Sequence, residues 1–343
     1  MVTVASHRCL RRIVVSAACL VLAGAIVYAL GEAAKARDWL PRFIARRAAL
    51  ASVSETVLET GPGRTLVHVA LVDGEGIEVE GHLRVPDGGT APRPALLVLG
   101  GVRTGRRTVD FVGDSGDWLV LALDYPYRGK KGGLSRGEFV AALPAMRRAM
   151  LDTVPAGRLA LDYLWRRGDV DRERVVLVGG SLGALFAPAL AAADERVAAA
   201  AVLFGAGDLE ALIDANLEVG WPAKPFATWF GSVVVSPLEP LKYIGRISPR
   251  PVFLLNGTED PTMPERCSRA LHDAAREPKT VRWLPLGHVD VRSTEFHRQV
   301  VSEFADWLCG IGFLGAGNGE AFLRIDVPGD GEGHGSQPPT PNP

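Results

Sequence analysis

The chain has 343 residues and carries 38 Lys plus Arg against 39 Asp plus Glu, a formal charge of −1 that excludes an obligate nucleic-acid binder. With 47% hydrophobic and 22% charged residues it has the composition of a globular protein with a sizeable core, which excludes global disorder. Four Cys are too few for a disulfide scaffold at this length, and Cys267 and Cys309 read as free thiols.

In chain order, the first predicted element is an uncharged run from Ile13 to Gly31, rich in Val, Leu, Ile and Ala. Its 18 residues from Ile13 to Leu30 would make about 27 Å of helix, close to the hydrocarbon thickness of a bilayer. The polar face expected of a core helix is missing. The run is longer than the hydrophobic region of a signal peptide, so residues 1–31 read as a signal anchor. The alternative is a signal peptide cleaved at the small-x-small site Ala29-Leu30-Gly31. Arg8, Arg11 and Arg12 precede the run, whereas Glu32, Lys35, Arg37 and Asp38 after it cancel. The positive-inside rule therefore puts the N-terminus in the cytoplasm and the body outside it, anchored in the cell envelope, or secreted or periplasmic if cleaved. Residues 32–60 form a juxtamembrane segment in which Trp39, Leu40, Phe43 and Ile44 share a helical face beside Arg42, Arg46 and Arg47. That pattern suits an interfacial helix or a helix packed on the domain.

Residues 61–325 read as one domain, without an internal repeat or linker. Thr65 to Val72 and Ile77 to Val85 are strand-like and joined by Asp73-Gly74-Glu75-Gly76, a hairpin signal. Short, fully apolar runs then alternate with helical stretches: Ala95 to Leu99, Trp118 to Leu123, Val175 to Val178, Val197 to Leu203, Val252 to Leu255 and Val281 to Leu284. Between them lie Ala145 to Arg167, Leu182 to Ala193, Glu265 to Arg276 and, last, Ser293 to Leu308. Continuous apolar strands imply a sheet buried on both faces, so the predicted fold class is α/β, a doubly wound, mostly parallel sheet with helices on both sides. Residues 205–245 form a cap-sized insertion, and residues 326–343 are too rich in Gly, Pro and polar groups to pack, a disordered tail.

Arg174-Val175-Val176-Leu177-Val178 runs into Gly179-Gly180-Ser181-Leu182-Gly183 and then an Ala/Leu-rich helix. This is Gly-x-Ser-x-Gly in the strand-turn-helix context that gives the pattern meaning. A Ser in a strained turn needs small neighbours, which Gly179 and Gly183 supply. The Leu182 N–H is then aimed at a developing oxyanion near the positive end of the helix. A serine hydroxyl needs a base, and the base an orienting carboxylate. Asp260 follows the strand Pro251 to Leu255, with Glu259 beside it as a second candidate acid, and His288 follows Val281 to Leu284. The order Ser, acid, His places all three at strand carboxyl ends, where such sheets bind ligands.

On these residues the chain resembles the α/β-hydrolase-fold serine hydrolases, close to the dienelactone-hydrolase-like and esterase branch, over about Thr65 to Leu308. The resemblance implies Ser181 as nucleophile, His288 as general base and acid, and Asp260 as orienter. It further implies a second oxyanion N–H from Gly101 or Val102 in the turn after the third strand. Asp124-Tyr125-Pro126-Tyr127-Arg128-Gly129 is similar to the family's Asp-x-x-x-x-Gly loop. The lipase-type His-Gly-Gly-Gly run is missing, and dienelactone hydrolases use Cys where Ser181 stands.

No cofactor or metal is expected: Arg106 and Arg107 occupy the Lys and Ser/Thr positions of a would-be phosphate loop at Gly100 to Arg107, and His68, His82, His272 and His297 have no ligand spacing and read as surface or strand positions. Gly113-Asp114-Ser115-Gly116 reads as a turn. Trp221, Phe226, Trp229 and Phe230 in the insertion either line an acyl pocket for substrate or pack on the sheet. The expected activity is cleavage of a small-molecule carboxylic ester through an acyl-enzyme, with the membrane as a partner through the N-terminal helix. The alternatives are a peptidase or amidase, and a tethered binding protein without catalysis.

Overall fold

The computed structural model describes residues 2–46, 49–88, 92–112, 115–130, 133–290 and 293–315. The tail expected over 326–343, and Gly113 and Asp114 of the expected turn, lie outside them. The chain opens with helix α1 (Val2–Ala36) and the short helix α2 (Leu40–Ala45). Strands β1 (Leu50–Gly61), β2 (Arg64–Asp73) and β3 (Glu78–Pro86) then pair antiparallel. The Asp73 side chain makes the turn between the last two, its Oδ1 accepting from the Glu75 N–H at 2.9 Å and the Ile77 N–H at 2.7 Å. Alternation follows: β4 (Arg93–Leu99), β5 (Leu119–Leu123), α3 (Arg136–Arg166), β6 (Val170–Gly180), α4 (Leu182–Ala193) and β7 (Ala199–Leu203). The chain continues through α5 (Leu209–Asn216), α6 (Ala223–Val235), β8 (Val252–Gly257), α7 (Glu265–Ala274), β9 (Lys279–Leu284) and α8 (Thr294–Gly310).

The nine-stranded sheet has the order β1-β2-β3-β5-β4-β6-β7-β8-β9. β3 meets β5 antiparallel, and every pairing from β5 through β9 is parallel. Successive strand residues point to opposite faces. Leu97, Leu121 and Leu177, in register on adjacent strands, therefore meet α3 and α4 on one side, whereas Leu96, Val120 and Val176 meet Phe304 and Trp307 of α8 on the other. Burial on both faces is why these strands are continuously apolar, and each buried Leu contributes roughly 1.5–3 kcal/mol. The result is a rigid frame whose strand carboxyl ends can hold side chains in place.

Several elements differ from the sequence expectation. The segment read as juxtamembrane and amphipathic over 32–60 contains the end of α1, then α2 and nearly all of β1, so the sheet starts at Leu50 rather than after residue 61. α1 runs unbroken past Gly31, and its Val14–Ala36 portion, 23 residues, is long and apolar enough to cross a membrane by length and composition. α2 packs on the domain: Phe43 is buried with its ring 6.2 Å from that of Tyr243, and Arg158 Nη1 donates to the carbonyls of Phe43 and Ile44 at 2.7 and 2.8 Å. α3 starts nine residues earlier than Ala145 because Ser135 and Glu138 form a reciprocal capping box. His272 and His297 are buried on helices rather than exposed. Cys267 and Cys309 are free thiols.

Candidate active site

Ser181 sits between the end of β6 and the start of α4 with φ 54° and ψ −113°, a left-handed conformation that a residue with a Cβ adopts only under constraint. The constraint is close packing on both sides. A Cβ on Gly179 would come 2.6 Å from the Gly183 carbonyl oxygen, and one on Gly183 would come 1.9 Å from that of Leu99. These two positions therefore require glycine so that α4 can lie tight on β4 and β6. The Ser181 N–H donates to the Leu203 carbonyl at 3.0 Å, tying the turn to β7.

His288 and Asp260 reach this turn from the ends of β9 and β8. His288 Nδ1 lies 2.7 Å from Asp260 Oδ2, and since a carboxylate only accepts, Nδ1–H is the donor. Nε2 then carries the lone pair, and it lies 2.8 Å from Ser181 Oγ, placed to take the hydroxyl proton. Asp260 is fully used: its side chain is 0% exposed, and Oδ1 accepts from the Thr262 and Met263 N–H groups at 2.8 and 3.0 Å. These two bonds fix the carboxylate plane, so its orientation does not depend on the imidazole. Of the two adjacent acids it is Asp260 that holds His288; Glu259 points to solvent. Phe204, itself at φ 54°, sets its ring edge-on to the imidazole at 6.1 Å. Sequence patterning missed this residue because nothing in an apolar strand end marks its left-handed turn.

The turn after β4 completes the site. A Cβ on Gly101 would come 3.9 Å from Ser181 Cβ, so this backbone lies against the serine. The Gly101 carbonyl accepts from the N–H groups of Thr104 and Gly105, both at 3.2 Å. The Gly100 carbonyl accepts from the Tyr125 hydroxyl, and the ring of Tyr125 packs 5.5 Å from Phe186 of α4. A trans peptide directs its N–H opposite to its C=O, so these bonds fix the directions of the Gly101 and Val102 N–H groups. Burial pushes the Tyr125 phenol far above its usual range, which keeps it a donor. Asp124 braces the same turn by accepting from the Arg106 N–H at 2.9 Å. Leu182, first residue of α4, has an N–H with no acceptor inside its own helix.

The four aromatic residues expected either to line an acyl pocket or to pack on the sheet lie on α6 or just before it. Trp229 of α6 stacks on Tyr28 of α1 at 5.6 Å, and its indole N–H donates to Glu32 at 3.0 Å. Its ring contacts run on to Phe226 and from there to Phe230. Trp221 is 87% exposed, and Phe226 and Phe230 are also exposed. Gly31, lacking a side chain, leaves the notch that the Trp229 indole fills. Among the described residues no cluster of His, Cys, Asp and Glu suits a metal ion.

With this geometry in hand, the structure is similar to an acetyl xylan esterase from Paenibacillus sp. R4, TM-score 0.57 at 20% identity, covering 77% of this chain and 90% of that one. It is similar also to acetyl xylan esterase 1 from Thermoanaerobacterium sp. JW/SL YS485, TM-score 0.58 at 16% identity, covering 84% and 92%. The chain has the α/β-hydrolase fold. Within that fold the Ser181 turn, the Asp260 loop and the His288 loop follow the carboxyl ends of the parallel strands β6, β8 and β9. Uncharacterized protein YfhR of Salmonella typhimurium strain LT2 is 33% identical over 141 residues, 40% of this chain and 48% of that protein. The chain thus spans about half the length of the curated relatives it matches. No family model matches it.

Proposed function

We propose that this α/β-hydrolase-fold chain is a serine hydrolase that cleaves a carboxylic ester through an acyl-enzyme. The observation that carries the reading is the line Ser181 Oγ, His288 Nε2, His288 Nδ1, Asp260 Oδ2, with 2.8 and 2.7 Å at its two hydrogen bonds. His288 accepts the proton as Oγ attacks the ester carbonyl, and buried Asp260 stabilises the imidazolium that forms. The tetrahedral oxyanion is received by the Leu182 N–H and by the Gly101 or Val102 N–H. His288 then returns the proton to the departing alkoxide, and a water repeats the sequence to free the acid. Two of the structural neighbours are acetyl xylan esterases, which makes acetyl esters the first class to try.

The test is labelling with a fluorophosphonate together with hydrolysis of p-nitrophenyl acetate. Wild type should be labelled and active, and Ser181→Ala should lose labelling and about 10³-fold or more in kcat while staying folded. Retention of a tenth of the activity in the folded variant would overturn the assignment, and a matched anilide tests the amidase alternative.

The N-terminal helix is proposed as a retained anchor with the hydrolase domain outside the cytoplasm. Support comes from the Tyr28 and Gly31 contacts with Trp229, which cleavage after Gly31 would remove. Carbonate extraction and intact mass of the mature chain decide between anchor and signal peptide; a mature chain starting at Glu32 would rule the anchor out.

A further inference from the structure

Where α1 ends, three arginines crowd one indole. The guanidinium carbons of Arg37, Arg42 and Arg147 lie 5.8, 4.7 and 5.9 Å from the Trp39 ring centroid. They arrive from three places: the residue after α1, α2 and α3. Among the described residues no carboxylate pairs with any of the three. The adjacent acid, Asp38, is turned away to Arg246 at 2.9 Å and to the Leu40 N–H at 3.0 Å. The nearby ammonium of Lys242 is spent on the carbonyls of Lys35, Ser236 and Arg37, at 2.5, 2.8 and 3.2 Å. The arginines and Trp39 line a cavity of about 430 Å³ whose apolar wall is Val234 and Pro237. Like charges held together around a cavity repel unless an anion enters.

Position says which anion. At 1.5 Å per residue the Val14–Ala36 helix of 23 residues is about 34 Å long, slightly more than a hydrocarbon core of about 30 Å. Arg37 therefore lies in the headgroup layer when α1 spans, level with lipid phosphates. A mixed pocket with cations at its mouth and Val and Pro on its wall matches a headgroup phosphodiester with the first carbons of its glycerol. We propose that this cavity binds the headgroup phosphate of a lipid of net negative charge, seating the hydrolase domain on the bilayer in a fixed orientation. The inference rests on the anchor reading of α1 and is independent of the chemistry at Ser181.

The test uses the full-length protein in detergent micelles, with lipid adducts counted by native mass spectrometry. Phosphatidylglycerol should bind as a single tight adduct, at least ten-fold more strongly than phosphatidylcholine. Arg42→Gln and Arg147→Gln should each weaken it about five-fold, the effect of one cation near a lipid surface. Arg148→Gln, at an exposed position beside Arg147 on α3, should change it less than two-fold. An equal loss in Arg148→Gln would mean unspecific attraction and overturn the site, as would equal binding of the two lipids. In a separate arm, inorganic phosphate that displaces phosphatidylglycerol at comparable concentration would overturn the lipid assignment in favour of a soluble phosphate. Carbonate extraction of the same protein tells a failed site from a failed anchor.

Discussion

At the scale of single residues the site depends on backbone as much as on side chains. Among the described residues the Tyr125 hydroxyl hydrogen-bonds to the Gly100 carbonyl alone, and that peptide carries the Gly101 N–H. A net hydrogen bond is worth about 1 kcal/mol, so Tyr125→Phe should lower kcat about five-fold with little change in KM, measured by steady-state hydrolysis of p-nitrophenyl acetate. A change confined to KM would contradict the positioning role. Gly183 makes a harsher case, because an added Cβ meets the Leu99 carbonyl oxygen at 1.9 Å and neither backbone can yield. Gly183→Ala should cost about 3 kcal/mol in urea unfolding, and an unchanged midpoint would show that α4 is free to lift. Ser181, Asp260 and His288 were legible in the sequence because motif, chain order and strand ends agreed. Tyr125 and Phe204 were not, since one acts on a carbonyl and the other through a ring face, and neither leaves a spacing.

At the scale of elements, the parallel strands were readable because burial on both faces forces continuous apolar runs. β1 was not, because its residues are almost all exposed, with Ser, Glu and Thr among its Val and Leu, and only pairing with β2 defines it. α7 misled for a different reason. Its charged residues Glu265, Arg269 and Asp273 make His272 look exposed, but His272 shares the buried face with Ser268 and Leu271. There Nε2–H donates to Asn256 Oδ1 at 2.9 Å while the Asn256 amide donates to Gly205 O and Ser268 Oγ. Burial pushes the His272 pKa down to about 4 from 6.5. The unfolded chain therefore binds a proton first as pH falls, so this stability is complete above about pH 6.5 and is lost progressively down to about pH 4, up to roughly 3 kcal/mol. His272→Gln keeps a donor but does not titrate, and the slope of unfolding free energy between pH 6.5 and 5 should flatten. A residual slope of the same sign is expected from His82, whose pKa burial also lowers. An unchanged slope would remove His272 as its source.

At the scale of the whole molecule, the short helix α2 before the sheet packs into the hydrophobic core. Phe43 fills the core beside Tyr243, and Arg158, buried against Asp194, spends Nη1 on the carbonyls of Phe43 and Ile44. A chain begun at Arg37 keeps these contacts, and one begun at Arg46 loses them. Loss of a buried Phe alone costs about 3–5 kcal/mol, so the shorter chain should melt at least about 6 °C lower in calorimetry. Equal melting temperatures would mean that α2 is only an attachment. The long N-terminal run was visible as an apolar segment, but its grip on the cap was not, because the Gly31 notch and the Trp229 indole meet only after the fold brings them together.

That grip also has a timetable. Glu32 and the Trp229 indole that binds it are separated by 197 residues. At about 5–20 residues per second of synthesis, roughly 10–40 s pass between making one and making the other. On the anchor reading, α1 reaches the bilayer before α6 exists, and α6 then packs onto a helix already in place. Insertion on that reading comes first, and it sets the floor against which the rest of the chain is assembled.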